Sequence, residues 1–176
     1  CREVVRQAGG VDRFAAIGIT NQRETAVIWD ASTGEPLHRA IVWQDRRTAP
    51  MCERLRSEGA EPLVQSRTGL LLDPYFSGTK MRWMLDNEGT VRAAAEAGRL
   101  ALGTVESWLV WKLSGGAHIT DASNASRTQL LALDGAQFDE GLCDLLGVPR
   151  SALATVVDTQ GHLTDTTLLG GRIPIA

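Results

Sequence analysis

Apolar residues follow two patterns along the chain, and each pattern predicts a different element. A continuous apolar run, Phe14–Ile19, predicts a strand buried on both faces, because it leaves no polar face for solvent. Two β-prone runs, Thr25–Trp29 and His38–Trp43, flank the turn formers Asp30–Gly34 and predict an antiparallel hairpin. A strand buried on both faces requires helices over the sheet. The pattern therefore predicts an α/β fold with a mixed sheet flanked by helices.

Other segments carry apolar residues at helical spacing, and glycine marks most of their ends. The predicted helices are Glu3–Ala8, a segment from Thr48 to just before Gly59, Thr79–Asn87, Val91–Ala97, Ser107–Leu113 and Phe138–Leu146. Two further strands are predicted, Arg99–Val105 and Thr128–Leu133. The 176 residues contain no repeat or linker and suit one domain. Because the chain begins within a predicted helix and ends on Ile173–Ala176 as if entering a strand, we expect this domain to be incomplete at both ends.

Charge and cysteine content argue against several classes of partner and site. The chain has 18 Lys and Arg against 21 Asp and Glu, so no positive field favours nucleic acid or an anionic membrane. No apolar stretch reaches the roughly 18 residues of a membrane span, and the first ten residues are too charged for a signal-peptide core. Cys1, Cys52 and Cys143 lie far apart and predict reduced, mostly buried thiols, without a disulfide or zinc site. We therefore expect a cytoplasmic protein.

Three polar or aromatic segments could carry chemistry, whereas dinucleotide, P-loop, zincin and serine-hydrolase motifs are absent. Arg23 and Glu24, after a predicted buried strand, could donate to and accept from the hydroxyls of a small polyol; the residues alone favour a surface turn with an exposed ion pair. Trp43 could form a ligand wall, although core packing is commoner for tryptophan. Tyr75 lies in a turn-rich loop, Asp73–Lys80, where its ring could simply pack while its hydroxyl reaches solvent.

The loop and the helix that follows it resemble a signature of the FGGY carbohydrate kinases. Tyr75–Asn87 has Ser, Lys, Trp and Asp-Asn at the spacing of that family. Four segments are most similar to the family members that phosphorylate glycerol: Ile19–Thr25, Ile41–Thr48, Thr68–Leu70 and Thr120–Thr128. Relatives that act on larger sugars tend to carry Gly and His in place of Arg23–Glu24. The similarity covers about Phe14–Arg150 and continues weakly to Ile175.

The resemblance implies a fold and roles for individual residues. The fold would be a ribonuclease-H-like domain of the actin-like ATPases, with residues 1–176 forming part of the N-terminal, polyol-binding domain and the second domain absent. Arg23 and Glu24 would hydrogen-bond glycerol, Trp43 would lie against its carbon backbone, and Tyr75 would add a hydroxyl contact.

Further residues match the signature or lie near the cleft, but their own sequence context favours structural roles. Lys80 and Trp83 would serve the packing and the solvated face of their helix. Asp121, Asn124 and Arg127 would form a structural polar turn beside the cleft, where a ligand contact is the minor alternative.

The implied reaction is transfer of the γ-phosphoryl group of ATP, with Mg²⁺, to glycerol. No residue of this chain is assigned to catalysis, because the general-base aspartate is expected beyond Ala176, and no metal ligand is assigned. The family's phosphate-contacting β-hairpin is also missing, so the isolated chain is expected to be inactive. Two alternatives stay open: a kinase for another polyol or sugar, and a non-catalytic polyol-binding domain. A homo-oligomer of the whole enzyme is also left open.

Overall fold

The computed structural model describes residues 1 to 176 as eight α-helices and six short strands. The helices are α1 Arg2–Gln7, α2 Ala49–Ser57, α3 Glu61–Thr68, α4 Ser77–Asn87, α5 Gly89–Glu96, α6 Val105–Ser114, α7 Ala122–Ala125 and α8 Glu140–Leu146. The strands are β1 Ala26–Asp30, β2 Leu100–Thr104, β3 Ile119–Asp121, β4 Thr155–Val157, β5 Thr164–Thr166 and β6 Ile173–Ile175. None of the helices combines the length and the apolar character needed to cross a membrane.

The strands pair in both directions. β1 and β2 are antiparallel, with Ala26 opposite Thr104, and every residue of both strands is buried. β3 and β4 are parallel, and β5 and β6 are antiparallel. The predicted α/β class with mixed strand pairing is confirmed.

The predicted hairpin is present in a reduced form. Ala26 and Ile41 exchange both backbone hydrogen bonds, each 3.0 Å long, and Asp30 closes the turn by donating its N–H to the carbonyl of Glu35 at 2.9 Å. The return segment forms isolated bridges instead of a strand, and one of them pairs Trp29 with Pro36. Proline has no N–H to donate to a ladder. The continuous ladder of β1 is therefore made with β2.

Two predicted strands are wrong. Phe14–Ile19 is exposed or only half-buried throughout and pairs through a single bridge between Ile17 and Ile175. Half of its residues are exposed and only Ile17 pairs, so its apolar character does not produce a strand. Thr128–Leu133 is a turn in which Gln129 has a φ of 66°. Leu130 and Leu131 are buried in irregular backbone, which an apolar pattern does not distinguish from a strand, and Leu133 is exposed.

The helix predictions hold better, because their ends carry specific capping signals. Asp139 caps α8 by accepting the N–H of Leu142 at 2.8 Å, and Gly147 closes the helix with a φ of 63°. Helix α3 was not predicted, although it carries Pro62 in its first turn and ends at Gly69 with a φ of 71°. Helices α2 to α5 and α8 pack with β1 and β2 around a core cluster of 23 buried residues.

The cysteines follow the prediction in part. Cys52 and Cys143 are buried free thiols, whereas Cys1 is exposed. Burial raises the pKa of Cys52 and raises that of Cys143 to about 11. Both buried groups are therefore protonated, unreactive thiols near neutral pH.

Candidate functional site

Glu24 lies two residues before the buried strand β1, and its side chain is held by a residue far along the chain. The residue is 4% exposed, and its Oε1 accepts the Nε–H of Arg127 at 3.0 Å. The guanidinium of Arg127 also lies over the ring of Phe76, 5.0 Å from its centroid. Oε2 of Glu24 receives no hydrogen bond from the chain. The carboxylate is therefore oriented through one oxygen and keeps the other as an acceptor.

Lys80 lies in the first turns of α4, and its side chain is fully buried. Its ammonium donates to the backbone carbonyls of Glu24 at 3.4 Å, Phe76 at 3.1 Å and Tyr75. Burial lowers the pKa of Lys80 to about 8. The expectation that Lys80 serves a solvated helix face is wrong. Its ammonium is enclosed by the Glu24 segment before β1 and by the loop before α4.

Trp43 and Tyr75 form one aromatic wall. Their rings meet edge to face, with centroids 5.7 Å apart and an interplanar angle of 69°. Tyr75 makes a similar contact with Phe76 at 5.2 Å. The N–H of Tyr75 donates to Oδ1 of Asp73 at 2.8 Å, which fixes the loop at that point. Trp43 and Tyr75 are both half-buried, so the wall has an accessible side and Trp43 is not a core residue.

Arg23 is exposed, and no hydrogen bond or ion pair within the chain holds its side chain. The alternative of an exposed pair between Arg23 and Glu24 is therefore not what the structure shows, since Glu24 is buried and paired with Arg127. Nearby, the half-buried Asn21 has a side-chain amide with no hydrogen-bond partner at either atom. An unpaired guanidinium on the residue next to an oriented carboxylate supplies the donor and acceptor types that bind a small molecule carrying several hydroxyl groups.

The predicted polar turn divides into a structural part and a part that reaches the site. Asp121 caps α7 by accepting the N–H groups of Ser123 and Asn124, and Asn124 in turn accepts the hydroxyl of Thr104 at 3.2 Å. Despite burial, hydrogen bonds from Asn124 hold the pKa of Asp121 below its ordinary value. Asp121 and Asn124 are therefore structural, as predicted. Arg127 instead contacts Glu24, and no sequence signal pointed to that pair.

A second buried carboxylate lies outside this site. Glu106, at the start of α6, is 3% exposed, and its Oε2 accepts the hydroxyl of Thr120 at 2.8 Å. Its Oε1 is buried without a partner. Burial raises the pKa of Glu106 to about 7.

Two cavities lie away from the aromatic wall. One, of about 610 Å³, lies between Val27 and Trp108, and another, of about 530 Å³, lies between Cys143 and Arg150. Neither is lined by Arg23, Glu24, Trp43 or Tyr75. No group of three or more His, Cys, Asp or Glu side chains is arranged to hold a metal ion.

Comparison with known proteins relates this geometry to a family. The model of the N-terminal domain of the FGGY family of carbohydrate kinases matches residues 1–168. The chain belongs to the FGGY family. Glycerol kinase from Methylobacterium nodulans is 58% identical over 179 aligned positions, which cover 99% of this chain and 36% of that protein. This FGGY chain thus spans about a third of the length of the curated relatives that it matches.

Solved structures of FGGY kinases share the fold. The crystal structure of Plasmodium falciparum glycerol kinase with ADP superimposes with a TM-score of 0.87 at 32% identity, over 92% of this chain and 33% of that chain. Xylulose kinase from Rhodospirillum rubrum gives a TM-score of 0.84 at 20% identity, over 99% of this chain and 36% of that one, which shows the fold alone. The predicted ribonuclease-H-like fold of this family is confirmed.

Proposed function

We propose that this chain forms the polyol-binding face of an ATP-dependent glycerol kinase. The observation that carries the proposal is the Glu24 carboxylate, which Arg127 holds through one oxygen while its guanidinium lies over Phe76, a ring in contact with Tyr75 of the aromatic wall. The names of the relatives support the same activity, since the protein from Methylobacterium nodulans is a glycerol kinase.

Each site residue has a role that suits a three-carbon polyol. Arg23 donates to glycerol hydroxyls, and Glu24 accepts from them through Oε2. Trp43 lies against the carbon backbone, and Tyr75 adds one hydroxyl contact. Glycerol has three hydroxyls and little apolar surface, so charge-assisted hydrogen bonds orient it and an aromatic wall limits its size.

In this proposal MgATP supplies the γ-phosphoryl group, and the residues of this chain hold the acceptor hydroxyl in line with it. Phosphoryl transfer depends chiefly on such positioning and on neutralisation of phosphate charge. The general-base aspartate and the main phosphate contacts are expected in parts of the relatives that this chain does not span. Residues 1–176 would then be part of an N-terminal domain that faces a second domain, in a cytoplasmic enzyme.

The test is a substrate comparison on the protein encoded by the whole reading frame. We expect ADP release with glycerol and MgATP, at a higher kcat/KM than with erythritol or xylulose. The 176-residue chain alone should give no glycerol-dependent ADP release, because an acceptor half-site lacks most of the electrostatic stabilisation that the reaction needs.

Other outcomes would replace the proposal with one of its alternatives. A higher kcat/KM for erythritol or xylulose would indicate a kinase for another polyol or sugar. Glycerol binding by calorimetry without ADP release from any substrate would indicate a non-catalytic polyol-binding domain.

A further inference from the structure

One buried ammonium joins the two segments that carry Glu24 and Tyr75. Lys80 is fully buried, and its Nζ donates to the carbonyl of Glu24 on one side and to the carbonyls of Tyr75 and Phe76 on the other. Glu24 and Lys80 are 56 positions apart. The hydroxyl of Ser77 also donates to the Glu24 carbonyl, at 3.2 Å. The backbone of Glu24 is thus tied to the first turn of α4 from two directions.

The residue type fits this arrangement. Lys80 and Lys112 are the two lysines among the 18 basic residues of the chain, and the rest are arginines. An ammonium is compact and has three donors that it can aim at converging acceptors, whereas a guanidinium presents a rigid planar fork. Three donors meet three carbonyls, so none is left for a ligand. Any effect of Lys80 on a bound polyol must therefore act through Glu24 and Tyr75.

The charge environment of Lys80 compensates for its burial only in part. Removing an ammonium from water is costly unless carboxylates and hydrogen bonds replace the solvent. The ionisable groups that face it are the carboxylates of Glu24, Asp45 and Asp73 and the thiol of Cys52. An apolar residue would fill the same space without this cost, but it would leave three buried carbonyls without a donor.

We propose that Lys80 is a positioning residue of the polyol site, whose ammonium sets the spacing between Glu24 and Tyr75. That the polyol is glycerol rests on the proposed function. The hydrogen bonds by which Lys80 links the two segments do not depend on it. In this arrangement helix α4 is the rigid element. The Lys80 side chain holds the segment that carries the Glu24 carboxylate in a fixed position relative to this helix.

The matched variants are Lys80→Met and Lys112→Met in the protein encoded by the whole reading frame. Lys112 is exposed and donates to the carbonyl of Gly34, away from the site. We expect Lys80→Met to raise the glycerol KM about tenfold or more, as loss of charged hydrogen bonds does, with the ATP KM within about twofold. Lys112→Met should leave both KM values near those of the wild type. Equal glycerol KM values for the two variants would overturn the proposal.

The pH profile separates positioning from a general loss of stability. Burial lowers the pKa of Lys80 to about 8, and the neutral amine has two N–H donors for three carbonyls. The glycerol KM of the wild type and of Lys112→Met should therefore rise as pH increases from 7 to 9, while that of Lys80→Met stays flat. Carboxylates ordinarily titrate well below this range, and burial raises the pKa of the facing Cys52 thiol. A wild-type glycerol KM that stays constant from pH 7 to 9 would count against a positioning role of the Lys80 ammonium.

Hydrogen exchange of the wild-type protein tests the positioning role of Lys80 even if Lys80→Met fails to fold or glycerol proves not to be the substrate. After correction for intrinsic rates, peptides covering residues 20–25 and 73–78 should lose protection between pH 7 and 9, and the strand Ala26–Asp30 should keep it. Unchanged protection in both peptides would overturn the proposal. Absence of glycerol turnover with the expected loss of protection would reject only the proposed function.

Discussion

Arg127 donates from Nε to Oε1 of Glu24 across 3.0 Å, although the two residues lie 103 positions apart in the chain. The side chain of Glu24 is 5% exposed and that of Arg127 is 30% exposed. A carboxylate this deeply buried is costly without a charged partner. The pair therefore offsets the cost of burying the Glu24 carboxylate and holds that carboxylate through Oε1.

Arg127→Ala should weaken glycerol binding although Arg127 need not touch glycerol. Loss of a hydrogen bond between charged groups costs about 1.5–3 kcal/mol, so the glycerol KM should rise roughly tenfold or more. Arg172→Ala is the control, because Arg172 pairs with Asp165 at the surface and its side chain is 73% exposed. Steady-state kinetics on the protein from the whole reading frame would measure both variants.

A double-mutant cycle tests whether Arg127 acts through Glu24. Glu24→Gln and Arg127→Ala combined should cost less than the sum of the two single changes, because each removes the same contact. Strict additivity would show that Arg127 affects glycerol binding by another route.

Arg23→Ala should impair glycerol capture far more than Arg47→Ala. Arg23 is exposed and has no partner in the chain, so its donors are free for a ligand. Arg47 is occupied by Asp45 at 2.8 Å and lies over the ring of Trp83 at 4.5 Å. We expect a change of about 1.5–3 kcal/mol from the glycerol KM for Arg23→Ala. Glycerol KM values within about twofold of wild type for both variants would contradict the binding role of Arg23.

Trp43→Ala should cost more than Tyr75→Phe in kcat/KM for glycerol. The tyrosine change removes one neutral hydrogen bond, worth about 1 kcal/mol, and keeps the edge-to-face contact with Trp43. The tryptophan change removes the larger ring of the wall and opens the site. If Tyr75→Phe proved the more damaging, Trp43 would not be the main wall against the polyol carbons.

The fold could be predicted where local sequence determines local structure. Asp139 before α8 and Gly147 after it satisfy the ends of that helix by themselves, so the helix could be predicted from those residues. The run Phe14–Ile19 shows the limit. Its apolar residues indicate that it could be buried, but burial depends on a covering layer that no local pattern specifies.

The candidate site could likewise be predicted from the sequence only in part. Arg23, Glu24, Trp43 and Tyr75 were predicted from their motifs, and the structure brings Trp43 into contact with Tyr75 and ties Tyr75 to Glu24 through Lys80. The burial of Lys80 could not be predicted, because it depends on a segment 56 positions away. A lysine in the first turns of a helix has the same sequence pattern whether it faces solvent or the core.

Glu106 gives the chain a pH-dependent stability that is separate from the proposed polyol site. Its Oε1 is buried without a partner, while its Oε2 accepts from Thr120. Burial raises its pKa from the ordinary value of 4.5 to about 7. Between these two values the folded chain holds a proton that the unfolded chain releases. The contribution to stability is therefore complete below about pH 4.5 and is lost as pH rises through about 7.

Glu106→Gln should remove this dependence, because glutamine keeps an oxygen for the Thr120 hydroxyl and does not titrate. The wild-type free energy of unfolding should fall, relative to that of the variant, by as much as about 3 kcal/mol between pH 4.5 and 7. Urea unfolding of the chain at half-unit pH steps would measure the difference between the two profiles, which should level off above pH 7. Glu96→Gln is the matched control, since Glu96 is exposed on α5 and its side chain makes no hydrogen bond or ion pair in the chain. Parallel profiles for wild type and Glu106→Gln would show that Glu106 is already ionised in the folded chain, and that its buried oxygen is stabilised by a group other than a proton.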